Sequence, residues 1–344
     1  MKFGPRPLAE SEGKILGHNI AGNDGRRLLR KGKVLTVSDI ELLHNLGRTV
    51  VYAASLEADD VGENDAALRV ARAATGAGLQ LTGAATGRVN MLAEDTGVLR
   101  VDAERLARLN GCAGVTLATM LSQTAVQARK IVGTVKVLPF AVPEATVVTA
   151  EQIAAEEGPI IRLDVLSQRN VALILSGSPS ARERILKGFN PPLRTRLEAL
   201  KATLTAVDFV PLEDDQGELE LAQRIKQQVA AGIDLIILAG ETAIMDAQDI
   251  APRAVERAGG EVSCYGAPVD PGNLLLLAYV HDVPVLGAPG CVRSPKRNIV
   301  DMVLPRLLVG DRLSGTEIYS WGHGGLLEDV RERPYPRRSV GNSS

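Results

Sequence analysis

Aromatic residues are scarce in this chain: they make up 3% of its 344 residues, and there is a single tryptophan. A platform that stacks single-stranded nucleic acid needs several aromatic side chains on one sheet face, and four scattered phenylalanines do not provide one. An excess of basic residues is also lacking, since 39 lysines and arginines against 41 aspartates and glutamates give a net charge of −2. Both absences argue against a nucleic-acid partner and favour a small molecule or another protein.

Cysteine and long apolar runs are rare as well. The three cysteines, Cys112, Cys264 and Cys291, form no CxxC pair and no zinc-binding spacing, so we expect free thiols in a reducing compartment. The N-terminal residues include no apolar stretch of the kind found in signal peptides. Apolar runs such as LIILAG and LLLLAYV fall short of the ~20 residues that a membrane span needs. The sequence therefore predicts a cytoplasmic protein without a membrane segment.

The remaining composition is that of a globular protein, with 45% hydrophobic and 23% charged residues. At roughly 150 residues per domain, the length allows about two domains, or three if they are small. We expect a small α+β region over residues 1–78 and a second over 79–168. An α/β module is expected over 169–330, and a disordered tail over 331–344. In the first region, VSDIELLHNLG has apolar residues at helical spacing, with Ser38 as the expected N-cap.

Strands and helices alternate regularly between Asn170 and Gly310. VALILS and IDLIILAG are near-continuous apolar strands, which is typical of parallel strands buried on both faces. ARERILKGF and PPLRTRLEALKATL predict two separate helices, the second with prolines at its start. The pattern predicts an α/β fold with a three-layer, mostly parallel sheet, preceded by the two small α+β regions.

Small and polar residues follow five of the predicted strands in this module. In an open parallel sheet, ligands bind outside the carboxyl ends of the strands, so these residues are the candidate site. They are Ser176, Gly177 and Ser178; Glu213, Asp214 and Asp215; Gly240, Glu241, Thr242, Asp246 and Asp249; Asp270, Pro271, Gly272 and Asn273; and Pro289, Gly290, Cys291, Arg293, Ser294 and Lys296.

Each residue type in this set suits an anionic or heterocyclic ligand. Glycine lets the backbone approach a ligand closely, and Arg293, Ser294 and Lys296 at a helix start would bind a phosphate. The carboxylates would hold a magnesium ion or accept hydrogen bonds from the amino groups of a heterocycle. Taken one strand at a time, Gly and Asp are also ordinary turn and N-cap residues. It is their convergence on one edge that favours a site.

These segments resemble the molybdopterin-binding superfamily, the MoaB/MogA/MoeA group of molybdenum cofactor proteins. The resemblance lies in Ser176-Gly177 with Asn190 before a helix in GFNPPLRTRLEAL, in EDDQGELELAQRI, in AGETAIMDAQDIAPRAV and in the two Pro-Gly turns, Pro271-Gly272-Asn273 and Pro289-Gly290. PVDPGNLLLLAYV, PVLGAPGCVRSPK and TGRVNMLAEDTGVLRV resemble a MoeA-like subgroup more closely. Members of that subgroup often carry a fused domain of the molybdenum-cofactor cytidylyltransferase type, which we expect this chain to lack.

The resemblance implies a protein that binds molybdopterin, as the pterin phosphate or its nucleotide form, in cofactor biosynthesis or delivery. If catalytic, it would insert molybdate into adenylylated molybdopterin, with magnesium held by Asp214, Asp246 or Asp249. Otherwise it would carry the cofactor to a molybdoenzyme or a cytidylyltransferase. An unrelated nucleotide-binding enzyme is the alternative on fold alone. MoeA-like proteins pair as elongated dimers, so the resemblance also implies a homodimer.

The sequence departs from the superfamily pattern at three of these positions. Glu241 replaces the second glycine of a Gly-Gly turn, Asn273 stands where lysine is frequent, and Cys291 stands where MoeA has asparagine. A carboxylate at position 241 would repel a phosphate or molybdate unless a cation lay between them. Cys291 has no nearby histidine in the sequence to act as its base, so we expect a packed thiol. Trp321 and His323 are expected in a C-terminal segment docked on the sheet.

Overall fold

A computed structural model of the chain describes residues 1–212, 215–241 and 244–327. It divides into two compact units. The N-terminal unit comprises Met1–Asp95 and Leu99–Asp164, and the C-terminal unit comprises Thr96–Val98 and the chain from Val165 onward. In the part of the chain that is described, no helix is long and apolar enough to cross a membrane. The three cysteines are free thiols.

Up to Val165 the chain forms short strands, four α-helices and the 3-10 helix Leu8–Glu10. The strands are β1 (Lys2–Pro7), β2 (Ile15–Leu16), β3 (Ile20–Ala21), β4 (Arg27–Leu29), β5 (Val50–Ser55), β6 (Asp60–Gly62), β7 (Leu79–Leu81), β8 (Arg88–Ala93), β9 (Gly97–Val101), β10 (Val115–Thr119), β11 (Ala125–Val126), β12 (Ile131–Val137), β13 (Ala141–Pro143) and β14 (Ile161–Val165). The helices are α1 (Val37–Asn45), α2 (Glu63–Ala74), α3 (Ala103–Asn110) and α4 (Glu144–Ala155).

Most strands of this part belong to small antiparallel sheets. Their orders are β1-β5-β2, β10-β12-β8-β7, β13-β6 and β3-β4, and β11, β9 and β14 form a further three-stranded sheet. The larger of two separate cores packs α2 and α4 against the four-stranded sheet, with Val70, Met91 and Val147 fully buried. The smaller core gathers Leu16 and Leu43.

Helix α1 begins two residues earlier than the sequence predicts, because its N-cap is Thr36 and not Ser38. The Thr36 hydroxyl accepts from the Asp39 amide at 3.4 Å, and the Thr36 amide donates to the Asp39 carboxylate at 3.0 Å. This capping box satisfies two backbone donors at once. Ser38 lies inside the helix, so the expectation of Ser38 as the cap was wrong.

The C-terminal unit is built on one six-stranded sheet. Its strands are β15 (Arg169–Gly177), β16 (Ala202–Pro211), β17 (Leu235–Gly240), β18 (Gly260–Tyr265), β19 (Leu276–Val280) and β20 (Val283–Gly287), in the spatial order β16-β15-β17-β20-β19-β18. Its helices are α5 (Arg182–Ala199), α6 (Asp215–Ala230), α7 (Ile250–Arg257), α8 (Val300–Val309) and α9 (Gly315–Ser320). The predicted α/β class with a mostly parallel sheet is confirmed.

Only β19 runs against the other five strands of this sheet. The pairs β16–β15, β15–β17 and β17–β20 are parallel, whereas β19 is antiparallel to both β20 and β18. Two reversals cancel, so β18 points the same way as the four parallel strands. The carboxyl ends of β15, β16, β17, β18 and β20 therefore lie at one edge of the sheet, which we call the carboxyl edge.

Helices cover both faces of the sheet and complete three layers. Helices α5, α8 and α9 pack on the face that carries Leu173 and Leu175. Helices α6 and α7 pack on the opposite face, which carries Ile174 and Ile236. Successive strand residues alternate between these two cores, which explains why VALILS is apolar throughout.

Helix α5 is one continuous helix, although two were expected. Pro191 and Pro192 lie inside it, where each proline removes a backbone donor and costs about 3 kcal/mol. Ile185, Phe189, Leu193 and Leu197 recur every four residues and are all buried in the same core. Burial of such side chains stabilises by roughly 1.5–3 kcal/mol each, which outweighs the break that the prolines favour.

Candidate functional site

The carboxyl edge brings three strand ends to the same level. Ser176 of β15 pairs in register with Gly240 of β17, and Leu238 of β17 pairs with Gly287 of β20. Just beyond β20, the Ala288 amide donates to the Leu238 carbonyl at 2.8 Å. Residues that lie far apart in the chain therefore form one continuous rim.

The path of the chain opens a crevice at this rim. Helix α5 follows β15 and packs on one face of the sheet, whereas α7 follows the neighbouring strand β17 and packs on the other face. Ligands of open α/β sheets bind where the helices that follow two neighbouring strands diverge in this way, since the strand ends are left uncovered there.

Two pockets flank the crevice and share Gly240 and Ala288. The smaller has a volume of about 100 Å³ and lies on the side of α6 and α7. It is lined by Ser176, Leu212, Leu221, Leu238, Ala239, Gly240, Ile244, Asp249, Ile250, Ala251 and Ala288. The larger has a volume of about 220 Å³ and is lined by Arg184, Ile185, Phe189, Gly240, Glu241, Ala288, Gly290 and Arg293. Neither alone reaches the ~300 Å³ at which ligand pockets begin, so a ligand would span both.

Gly240 allows the strand ends to meet. A Cβ atom at this position would overlap the Ser176 carbonyl oxygen and lie 2.7 Å from the Ser176 hydroxyl. The neighbouring Glu241 amide donates to the same carbonyl at 3.0 Å. A side chain at position 240 would therefore push β15 and β17 apart at the rim.

The Glu241 carboxylate binds three donors in the larger pocket. It accepts from the Ser178 hydroxyl at 2.9 Å and from the Ser178 amide at 3.3 Å, and it pairs with the Arg184 guanidinium. The Ser178 hydroxyl and amide, and then Arg184, hold the pKa of the Glu241 carboxyl below its ordinary value. Arg184 is thus the cation beside the unexpected carboxylate. Arg184 was not among the predicted site residues, because ARERILKGF predicts only a helix.

Arg293 supplies a second guanidinium to the larger pocket. It stacks over the Phe189 ring at 5.4 Å from the centroid, and its Nε donates to the Gly290 carbonyl at 3.1 Å. Within residues 1–212, 215–241 and 244–327 no carboxylate pairs with it. Pro289 precedes the short 3-10 helix Gly290–Arg293, and its carbonyl accepts from the Val292 amide at 3.0 Å.

The segment after Arg293 does not lie at a helix start as expected. Helix α8 begins only at Val300, and the Lys296 amide donates to the Ser294 hydroxyl at 3.2 Å in the connecting loop. The buried Asn298 covers the start of α8, since its amide oxygen accepts from the Val300 amide at 3.0 Å. The Asp301 carboxylate in turn accepts from the Asn298 amide at 2.9 Å, so reciprocal hydrogen bonds fix the start of the helix after Asn298 and not at Arg293.

Arg196 of α5 holds this loop from behind and was also missed by the sequence. Its guanidinium donates to the carbonyl oxygens of Val292 at 2.9 Å and Ser294 at 2.7 Å. No local pattern reveals such a contact, because the partners lie 96 and 98 residues apart in the chain.

The expected catalytic carboxylates are engaged by backbone. Asp249 lines the smaller pocket, and its carboxylate accepts from the amides of Met245 at 2.6 Å and Asp246 at 3.0 Å. Asp246 in turn accepts from the Gln248 amide at 2.7 Å. Asp214 and Thr242 lie outside the described residues, and Asp215 is the first residue of α6.

A magnesium site does not emerge from the donors that the structure describes. Over residues 1–212, 215–241 and 244–327, no three His, Cys, Asp or Glu side chains gather as metal ligands. Asp249 accepts both amides of its loop on Oδ2, and Asp246 accepts one amide on Oδ1. Because one or two carboxylates with water and phosphate oxygens are enough for magnesium, magnesium held by Asp214, Asp246 or Asp249 stays a prediction.

Other expected site residues shape the edge without lining the two pockets. The Pro271 carbonyl accepts from the Ile299 amide at 3.1 Å, and a Cβ at Gly272 would overlap the Ile299 side chain. The Asn273 carbonyl accepts from the Ala267 amide at 2.9 Å. Asn190 lies in the middle of α5, and its buried side-chain oxygen has no hydrogen-bond partner in the described part of the chain.

Gly177 leaves room for Glu241, Cys291 is partly buried, and the C-terminal segment packs against the core. A Cβ at Gly177 would lie 3.0 Å from the Glu241 Cβ, so glycine lets Glu241 sit against β15. Burial raises the pKa of the Cys291 thiol, which is consistent with the packed thiol that we expected. Trp321 packs against the core of the C-terminal unit and His323 is exposed, in agreement with a docked segment.

Comparison with known proteins yields one partial family match and several similar structures. Residues 5–55 match a family model described as a domain of unknown function (DUF8806). No curated protein matches the chain. A molybdenum cofactor biosynthesis protein from Pyrococcus furiosus is 11% identical with a TM-score of 0.24, over 93% of this chain and 65% of that chain. The chain thus spans less than two thirds of the length of that protein.

Two further solved structures are similar to parts of the chain. The molybdopterin biosynthesis MoeA protein from Pyrococcus horikosii is 13% identical with a TM-score of 0.30, over 92% of this chain and 76% of that chain. A molybdenum cofactor biosynthesis protein B is 15% identical with a TM-score of 0.26, over 41% of this chain and 94% of that chain. These identities and TM-scores assign the chain to no family.

Proposed function

We propose that this chain binds molybdopterin, as the pterin phosphate or its nucleotide form, in the biosynthesis or delivery of the molybdenum cofactor. The observation that carries the proposal is the pair of pockets at the carboxyl edge, which join Ser176, Gly240 and Ala288 from three strands. Two of the segments that resemble the molybdopterin-binding superfamily lie at this same edge, since Ser176-Gly177 ends β15 and Pro289-Gly290 follows β20.

The two pockets differ in chemistry in a way that suits such a ligand. The smaller is mainly apolar, with Leu221 and Ile244 beside the Asp249 carboxylate. A flat heterocycle would bury its ring there and donate its amino hydrogens to the carboxylate. The larger contains Arg184 and Arg293, whose planar guanidinium groups match a phosphate.

One form of this role is a carrier that hands the cofactor to a molybdoenzyme or a cytidylyltransferase. In it, Asp249 would bind the heterocycle while Asp246 holds the loop. Insertion of molybdate into adenylylated molybdopterin is the alternative that the resemblance implies. Turnover of the adenylate by the purified chain separates the two functions.

Anaerobic calorimetry with molybdopterin tests the proposed function. Arg293→Ala is expected to weaken binding about tenfold or more, since a charged hydrogen bond contributes about 1.5–3 kcal/mol. Arg312→Ala is the matched control: this guanidinium also stacks over a ring, 4.2 Å from the Tyr279 centroid, but it lines a pocket with Arg169 and Asp234 at the opposite edge. The Arg312→Ala variant should bind molybdopterin with the same affinity as the wild type. Absence of binding by the wild-type protein, or equal losses in both variants, contradicts the proposal.

The proposal extends to a homodimer in the cytoplasm. The proposal rests on the resemblance of PVDPGNLLLLAYV and PVLGAPGCVRSPK to the MoeA-like subgroup, whose members pair as elongated dimers. Light scattering at micromolar concentration should give twice the chain mass of 36.5 kDa. A mass of one chain at all concentrations contradicts the dimer.

A further inference from the structure

The Glu241 carboxylate occupies a set of donors that is typical of an oxyanion site. A backbone amide and a hydroxyl, both from Ser178, and the Arg184 guanidinium all point at it. Phosphate oxygens bind the same three kinds of donor. Glu241 thus fills, from within the chain, a position that an external anion would take.

The charges around this position leave it attractive to an anion. Arg184 and Arg293 line the larger pocket with Glu241, so the pocket holds two positive charges and one negative charge. The Arg184 and Glu241 side chains are 69% and 31% exposed. An ion pair at this exposure is weak and exchangeable, because water competes for both partners.

We propose that Glu241 is an internal anion that competes with the phosphate of the ligand for Ser178 and Arg184, and so sets the affinity of the carboxyl edge for tetrahedral oxyanions. The inference rests on the proposed function only in taking the anionic group of the ligand to this edge. A phosphate monoester carries a charge of about −1.5 to −2 and three acceptor oxygens, so it can replace the carboxylate on all of these donors.

The position of Glu241 makes the competition unavoidable. Its backbone is fixed by the hydrogen bond from its amide to the Ser176 carbonyl, and its Cβ lies against Gly177. The carboxylate must therefore either swing away from Ser178 or face the incoming phosphate as a like charge. In both cases the chain binds the anion more weakly than a chain without this charge would.

Calorimetric titration of the full chain with inorganic phosphate tests the inference without any pterin. Glu241→Gln keeps the shape of the side chain and removes its charge, and is expected to raise the association constant about tenfold or more by freeing Arg184. The matched control is Glu183→Gln, which removes the same charge from the first turn of α5. Glu183 is 74% exposed and faces Arg182 at 3.5 Å, so its loss should change phosphate affinity less than about twofold.

A double variant tests whether Arg184 is responsible for the gain in phosphate affinity. Addition of Arg184→Ala to Glu241→Gln should return phosphate affinity to the wild-type level or below. The inference is overturned if Glu241→Gln binds phosphate no more tightly than the wild type, if Glu183→Gln gains equally, or if Glu241→Gln does not fold. The last outcome counts because a competing anion must be dispensable for the fold.

The phosphate and pterin titrations separate this inference from the proposed function. Tight phosphate binding by Glu241→Gln, with no binding of molybdopterin by either protein, supports the internal anion and contradicts the pterin site. Binding of molybdopterin by the wild type, with unchanged phosphate affinity in Glu241→Gln, does the reverse.

Discussion

The Arg196 guanidinium donates a hydrogen bond of 2.8 Å to the Asp301 carboxylate, which joins α5 to α8 directly behind the loop that carries Arg293. The Arg196 side chain is only 12% exposed. Its remaining donors bind carbonyl oxygens of that loop. Arg196 is therefore a positioning residue: it fixes the loop that presents Arg293 without itself lining either pocket.

Replacement of Arg196 by alanine should destabilise the C-terminal unit and weaken ligand binding together. A partly buried ion pair with two further hydrogen bonds is lost, so we expect the free energy of unfolding in urea to fall by about 2–4 kcal/mol. Arg194→Ala is the control on the same helix, since Arg194 is exposed. It should change stability by less than about 0.5 kcal/mol. Equal effects of the two variants on stability and binding would show that Arg196 does not position the loop that carries Arg293.

The same glycine-to-alanine change should have opposite signs at two positions. Gly240→Ala forces a Cβ into the Ser176 carbonyl and should lower the free energy of unfolding by about 1–3 kcal/mol. Gly188→Ala lies inside α5, where the nearest atom to a new Cβ is the flexible Arg293 side chain at 3.4 Å. It should raise stability by about 0.5–1 kcal/mol because alanine favours the helix. Chemical denaturation of both variants measures the change in the free energy of unfolding. A Gly240→Ala protein as stable as the wild type would contradict the close contact between Gly240 and the Ser176 carbonyl.

Asp39 makes the N-terminal unit sensitive to acid. Burial raises the pKa of its carboxyl, but Lys33 and then the amide and hydroxyl of Thr36 outweigh burial and lower the pKa overall. A lowered folded-state pKa gives stability that is complete above the unfolded value of about 3.9 and is lost as the pH falls through the folded value. Asp39→Asn should therefore destabilise the unit at pH 7 by about 1–3 kcal/mol and have a smaller effect below pH ~3.9. Urea unfolding of the wild type and of Asp39→Asn at both pH values, monitored by a probe in this unit, measures the effect. A difference in unfolding free energy that is the same at both pH values would contradict this role of Asp39.

Asp249 should matter more for pterin binding than Cys291. Asparagine at position 249 can still accept from the Met245 and Asp246 amides, so the melting temperature should change little while the lost charge weakens the contact with the heterocycle. Burial raises the pKa of the Cys291 thiol, so it is neutral at pH 7, and Cys291→Ser should leave the affinity nearly unchanged. Calorimetry on the two variants compares them. Normal binding by Asp249→Asn would remove Asp249 from the site.

Local sequence pattern predicted much of the C-terminal unit, and long-range contacts account for what it missed. The apolar strands and the small residues after them placed Ser176, Gly240 and Gly290 at one edge, because each signal lies within a few neighbouring residues. The single helix α5 was missed because burial of Phe189 and its neighbours decides against the local preference of proline. The pair of Arg184 and Glu241 was missed because its members lie 57 residues apart and meet only through the sheet.

The order of the strands also sets the order in which the molecule can assemble. Strands β18, β19 and β20 are neighbours in the chain and in the sheet, so they can pair early at a small cost in loop entropy. Strand β17 must instead enter between β15 and β20, which approach it from distant parts of the chain. Since Ser176, Gly240 and Ala288 belong to or follow those three strands, the crevice exists only once β17 is in place. A ligand that binds there therefore stabilises the finished sheet over every partly assembled one.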